Sequence, residues 1–280
     1  MISSLDGPIV IVFPSLDNGE DPCAGAGELR AVSFLGSFLR LHFDSDDIHV
    51  VGSRELHARG EESYRDANLI LLGGPIANPV TKHVLDALDY EPFKVIERSN
   101  AVDRSKQSVY ELCGAENSYD TEYRGERRGP TEFKHDYGLG ARRRNPFTEL
   151  KRYVFLCLGC HTYGTHAAAA IMFAPQSGER IARHFEKSGE DITVIAKIEN
   201  VEDMEKGREV KIRILEPPDL ADVFIYNDAS LSAALQAHVR WSDYERVHAQ
   251  RMLWLKLAVA LGVMLSWPFL TAFVHQFLAR

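Results

Sequence analysis

The chain has 280 residues, 45% of them hydrophobic and 26% charged, enough for one large domain or two small ones. Its net charge of −8 argues against a general nucleic-acid binder, because the phosphate backbone would repel it. The charge is uneven: from Tyr226 onward five Arg/Lys stand against three Asp/Glu, so this part carries +2 and the remainder −10. An acidic head on a mildly basic stem suits a head in solvent and a stem beside anionic lipid.

In chain order, Ile9–Phe13 (IVIVF) predicts a buried strand. The surrounding apolar stretch, Pro8–Leu16, is too short for a secretory signal and lacks a basic leader. The head is therefore expected in the reducing cytoplasm, where Cys23, Cys113, Cys157 and Cys160 stay thiols. Residues 27–43 carry Leu29, Val32, Leu35 and Phe43 at helical spacing. Ile48–Val51 and Ala67–Leu72 predict two more strands. The second runs into Gly73-Gly74-Pro75, and a helix over Pro79–Leu88 follows, with Asn78 as N-cap and Pro79 in the first turn.

Residues 100–152 are polar and short on periodicity, which predicts an insertion or a long loop. Tyr153–Leu158 is a continuous apolar strand. An alanine-rich helix over Thr165–Phe173 and another over Gln176–Lys187 follow it. Asp191–Ile198 and Glu209–Leu215 alternate apolar and polar residues, as half-exposed strands do. Continuous apolar strands followed by helices predict an α/β fold of Rossmann-like type. Its sheet would be mainly parallel, with helices on both faces and an antiparallel pair at one edge. The predicted organisation is a head over residues 1–225, a stalk helix over 226–251 and a membrane helix over 252–278.

The membrane reading rests on Leu257–Val274, 18 residues without a charge. As a helix they would span roughly 27 Å, close to the thickness of a hydrocarbon core. A core helix is the competing reading, and Pro268 inside the run speaks for it; membrane helices tolerate proline better. Arg240, Arg246, Arg251 and Lys256 precede the run and only Arg280 follows it, so the positive-inside rule places the head in the cytoplasm. The stalk, with Leu231, Leu235 and Val239 on one face, could pair with a copy of itself to form a homo-oligomer.

Three constellations can carry chemistry. Gly73, Gly74, Asn78 and Thr81 stand where a strand gives way to a helix. There glycine lets a ligand approach the backbone and a helix N-terminus attracts an anion. A tight turn with a capped helix accounts for them equally well. Gly159, Thr162, Gly164 and Thr165 stand at the next such junction, with His161 and Tyr163 as candidates to stack on a base or transfer a proton. Ligands of open α/β sheets bind beyond the carboxyl ends of strands, so both turns could face one crevice. Arg142-Arg143-Arg144-Asn145, upstream of the Tyr153 strand, offers guanidinium donors for phosphate, with Arg144 and Asn145 as the ligand contacts, or is a solvated loop.

Cys157-Leu158-Gly159-Cys160-His161 matches the c-type haem attachment pattern C-x-x-C-H. Cys157 falls inside an apolar strand, however, and no export signal precedes it. Zinc lacks a fourth ligand, and Cys160 at a helix N-terminus could be a reactive thiol. No cofactor can be named from these residues.

Asn68-Leu69-Ile70-Leu71-Leu72-Gly73-Gly74-Pro75 with Asn78 and Thr81 forms the first part of a larger pattern. Tyr137-Gly138, Asn145-Pro146-Phe147, and Gly159 with His161-Thr162-Tyr163-Gly164-Thr165 complete it. Together they resemble a set of prokaryotic Rossmann-like domains, to which no activity is attached, that are joined to regulatory or membrane modules. The resemblance covers roughly residues 5–225. In plan the chain is similar to sensor domains of bacterial signalling and phage-defence systems.

The leading expectation is a membrane-anchored protein that binds or senses a small anionic ligand, a nucleotide by preference. The alternatives are a nucleotide- or nucleoside-processing hydrolase or transferase, with His161, Tyr163 and an acid such as Asp17 or Glu55, and an interaction domain without a ligand.

Overall fold

A computed structural model describes residues 5–15, 26–99, 106–115, 117–119, 135–186, 191–201 and 208–226. The chain divides into two compact units, residues 1–229 and 230–280. The described residues all belong to the first. Asp17, Cys23, the stalk and the candidate membrane segment lie outside the described residues. Among the described residues, no helix is long and apolar enough to cross a membrane.

The strands are β1 (Ile9–Phe13), β2 (Ile48–Gly52), β3 (Asn68–Leu72), β4 (Phe93–Ser99), β5 (Lys106–Cys113), β6 (Ser118–Tyr119), β7 (His135–Arg144), β8 (Tyr153–Gly159), β9 (Ile192–Glu199), β10 (Val210–Glu216) and β11 (Val223–Tyr226). The helices are α1 (Ala26–Leu39), α2 (Ser53–Arg59), α3 (Pro79–Ala87), α4 (Thr162–Phe173) and α5 (Pro175–Phe185). Eight strands form one sheet in the order β11-β10-β9-β7-β8-β3-β1-β2, while β4, β5 and β6 form a second, three-stranded sheet.

The fold is α/β and the large sheet is mixed. Strands β2, β1, β3 and β8 run parallel. Every pairing from β8 through β7, β9 and β10 to β11 is antiparallel. Antiparallel pairing therefore starts inside the sheet, at β7, rather than as an addition at its edge. The predicted long loop contains this strand together with β5 and β6. The central run of β7, Gly138-Leu139-Gly140-Ala141, is buried but carries two glycines, so it shows no apolar periodicity.

Those glycines have a packing reason. A Cβ built on Gly138 would lie 2.0 Å from the Gly164 carbonyl oxygen, and one on Gly140 would lie 2.5 Å from Met172 Cγ. Helix α4 lies directly on β7. The alternate residues Leu139 and Ala141 point the other way, into a core shared with Val10, Val12, Leu69, Leu71, Leu156 and Leu112. Leu56 of α2 and Val80, Val84 and Leu85 of α3 complete that core. On the α4 face, Phe173 meets the rings of Phe155 at 5.3 Å and Phe38 at 6.4 Å, so α1 packs beside α4. All five residues of β3 and all seven of β8 are buried, as strands covered on both faces must be.

Candidate functional site

The four parallel strands end at one edge, and the loops leaving them build the site. Asn78 is fully buried there. Its Oδ1 accepts the N–H groups of Val80 at 3.1 Å and Thr81 at 3.0 Å, capping α3. Its Nδ2 donates to the carbonyls of Leu72 at 2.9 Å and Val12 at 3.4 Å. One side chain thus closes a helix and ties the ends of β1 and β3 together. Gly73 adopts φ +80°, which glycine favours, and a Cβ built on it would lie 2.7 Å from Pro14 Cγ. Gly74 is half-buried, and a Cβ on it would meet only the Phe93 ring, at 3.9 Å. Thr81 is buried beneath the turn.

The second turn is more crowded. A Cβ on Gly159 would lie 2.2 Å from both the His161 oxygen and the Thr165 nitrogen. Helix α4 starts at Thr162, three residues before the expected start, because an acceptor from another strand holds its first turn. That acceptor is Asp136, fully buried at the start of β7. Its Oδ2 accepts the Gly164 N–H at 2.5 Å, and its Oδ1 accepts those of His161 at 3.2 Å and Tyr137 at 2.8 Å. The carboxylate sits where the helix dipole and unpaired N–H groups attract an anion. Gly164 is required because any Cβ would strike the Tyr137 carbonyl at 2.0 Å.

Thr162 Oγ1 accepts the Gly27 N–H at 3.3 Å, and a Cβ on Gly27 would lie 2.1 Å from the Thr162 oxygen. The first turns of α1 and α4 therefore touch. Tyr163 and Thr165 are buried, whereas His161 and Thr162 are half-exposed. At α2 the pattern repeats: Ser15 Oγ accepts the Arg54 N–H at 3.0 Å, and the Ser15 N–H donates to Ser53 Oγ at 3.3 Å. Protein acceptors thus meet the first turn of every one of these helices: Thr162 of α4 at α1, Ser15 at α2, Asn78 at α3 and Asp136 of β7 at α4.

The electrostatics follow from burial. Desolvation pushes the Asp136 carboxyl above its ordinary range, against the pull of His161 and of the three N–H donors. Burial pushes the His161 imidazole down, with the Asp136 charge opposing it. A half-exposed, neutral imidazole beside a buried acid can accept a proton.

The arginine cluster lies elsewhere. Arg144 pairs with Tyr153, the first residue of β8, so it stands at the opposite edge of the sheet from Gly73 and Gly159. Arg142 and Arg144 flank the Tyr153 ring at 5.1 and 5.8 Å. Asn145 Nδ2 donates to the carbonyls of Arg65 and Ala67, and its Oδ1 accepts the Phe147 N–H. Arg144 and Asn145 do not join the two glycine turns, and the cluster is the end of a strand rather than a loop. Glu55 is exposed and paired with Arg59 on α2.

Cys157 is buried in β8, and desolvation drives its thiol far above the ordinary range. Cys160 is buried too, its Sγ donating to the Tyr119 carbonyl at 3.5 Å. Among the described residues no group of three or more His, Cys, Asp and Glu side chains is placed to hold a metal ion.

Two acids escape sequence reasoning. Asp136 carries no signal beyond an acid two residues before a glycine. Glu28 lies in the first turn of α1 and is 5% exposed; its Oε1 lies 3.9 Å from a Cβ built on Gly73. Compared with known proteins, the chain matches no family model, no curated protein and no solved structure.

Proposed function

We propose that this chain is a membrane-anchored protein that binds or senses a small ligand, a nucleotide or nucleoside by preference. The site is the crevice at the carboxyl edge of the parallel strands. Strand order β2-β1-β3-β8 reverses between β1 and β3, the Rossmann-like arrangement in which ligands enter beside the reversal. The observation that carries the reading is the approach of Gly73, Pro14 and Glu28 at that point. A carboxylate there suits the hydroxyls of a ribose-like group or an amine. Asp136 already holds the first turn of α4, so a phosphate would be bound away from it.

Purified full-length chain in detergent is expected to show saturable binding within a panel of nucleosides and nucleotides, by calorimetry or thermal shift. Gly74→Trp, at the open rim, should abolish it while leaving the fold intact. A panel without one binder would sink this reading and favour an interaction domain without a ligand. Anchoring through residues 252–278 is tested by extraction of the chain from membranes before and after deletion of that segment, and the cytoplasmic placement of the head by protease accessibility in sealed vesicles of known orientation.

The second reading is a hydrolase or transferase acting on the same ligand class. The neutral, half-exposed His161 beside Asp136 supports it. Turnover that is lost in His161→Ala with ligand affinity retained would promote it over simple binding.

A further inference from the structure

A cavity of about 370 Å³ opens between the β5–β6 turn and the antiparallel half of the large sheet. Its size suits a single heterocycle or nucleoside. It is lined by Arg143, Thr193 and Tyr90, by Cys113 at the end of β5, by Asn117 of the turn and by Glu216 of β10, with Leu215, Pro217 and Pro218 as apolar wall.

Arg143 is the one cation among these lining residues, and three of its five N–H donors are engaged by the protein. Its guanidinium stacks on the Tyr90 ring at 4.8 Å. Nη1 donates to the Ile192 carbonyl at 2.6 Å and the Arg142 carbonyl at 2.9 Å, and Nη2 to Thr193 Oγ1 at 2.6 Å. The Asp191 carboxylate lies 3.9 Å from Nε. A phosphate entering the cavity would meet the like charge of the Glu216 carboxylate.

Glu216 is different. Its Oε1 accepts the Tyr119 O–H and its Oε2 the Ala115 N–H, each at 2.7 Å. Each carboxylate oxygen has a second lone pair, so both can still accept a ligand donor. A carboxylate held rigid by two donors, beside an apolar wall, matches the edge and face of a flat ring bearing N–H groups.

We infer that this cavity is a second small-molecule site, specific for an unphosphorylated nitrogenous ring of the nucleobase class, with the Glu216 carboxylate reading its N–H edge.

Cys113 supplies the measurement, since it is half-exposed and lines the cavity whereas Cys157 and Cys160 are buried. Full-length chain in detergent is treated with iodoacetamide, and alkylation of Cys113 is followed by peptide mass spectrometry. The probes are adenine, guanine and cytosine, with adenosine monophosphate and inorganic phosphate for contrast. At least one free base should slow Cys113 alkylation saturably, and adenosine monophosphate and phosphate should not. Glu216→Gln should weaken that protection at least about tenfold, as loss of a charge-assisted acceptor does.

The Cys113 rate without any base shows whether Glu216→Gln has merely released the turn; in that event Leu215→Trp, which fills the cavity from its apolar wall, replaces it. Protection by phosphate or adenosine monophosphate equal to that by the bases would overturn the proposal, as would no protection by any base. The protection is read at Cys113 itself and not through nucleotide binding in the crevice, so this site and the crevice fail or stand separately.

Discussion

The Asp136 carboxylate at the start of β7 accepts the Gly164 N–H in the first turn of α4 at 2.5 Å. The two residues belong to different elements, and the contact decides both where the helix begins and what its N-terminus can bind. Asp136→Ala would strand buried N–H groups, and the expected loss is about 3 kcal/mol in denaturant unfolding. Asp136→Asn keeps one acceptor oxygen and should lose less.

The pH dependence has two parts. The Asp136 carboxyl titrates higher in the folded chain than in the unfolded chain, so the folded state binds its proton more tightly. Its contribution to stability therefore falls as pH rises from the ordinary carboxylate value to the raised one. His161 titrates lower when folded, so stability is complete above its unfolded value of about 6.5 and falls as pH drops toward the folded one. Unfolding curves from pH 4 to 8 should flatten on the acid side of about 6.5 in His161→Gln. An unchanged slope would show that the imidazole is not desolvated.

Two glycine substitutions should have opposite signs. Gly138→Ala drives a methyl to within 2.0 Å of the Gly164 carbonyl, and about 3 kcal/mol or more should be lost because neither backbone can yield. Gly36→Ala lies inside α1 with nothing within 4 Å of the new Cβ, and about 0.5–1 kcal/mol should be gained from helix propensity. Thermal melts of the two variants check both.

Asn78→Ala removes the cap of α3 together with the tie between β1 and β3. A loss of about 2–3 kcal/mol is expected. Asn78→Asp retains the Oδ1 cap but replaces the donor to Leu72 and Val12 with a second acceptor, so it should rescue little. Full rescue by Asp would show that the strand tie contributes nothing.

Local chemistry made much of the parallel half legible. Ile9–Phe13 and Tyr153–Leu158 are apolar runs with no polar face, and the chain buries them on both sides. Asn78-Pro79 carries a helix start in two residues, and the structure places a cap and a first turn there. These features depend on neighbours within a few positions, which is why composition and spacing are enough to find them.

The centre of the sheet was not legible in this way. Gly138 and Gly140 are buried because α4 presses on them, and glycines carry no apolar signature. Arg143 reads as a surface charge until Tyr90, from a segment 53 positions earlier, lies beneath it. Most of all, the second glycine turn looked like an open anion site by its own residues. Only tertiary structure brings a carboxylate from β7, 28 positions before Gly164, into that place. By itself the sequence determined strands β1, β2, β3, β8, β9 and β10 and helices α1, α3, α4 and α5, and that an uncharged run of 18 residues stands near the end. Which helix N-termini remain open to a ligand was decided by contacts between distant segments, because a capping acceptor satisfies an N–H equally well from any point in the chain.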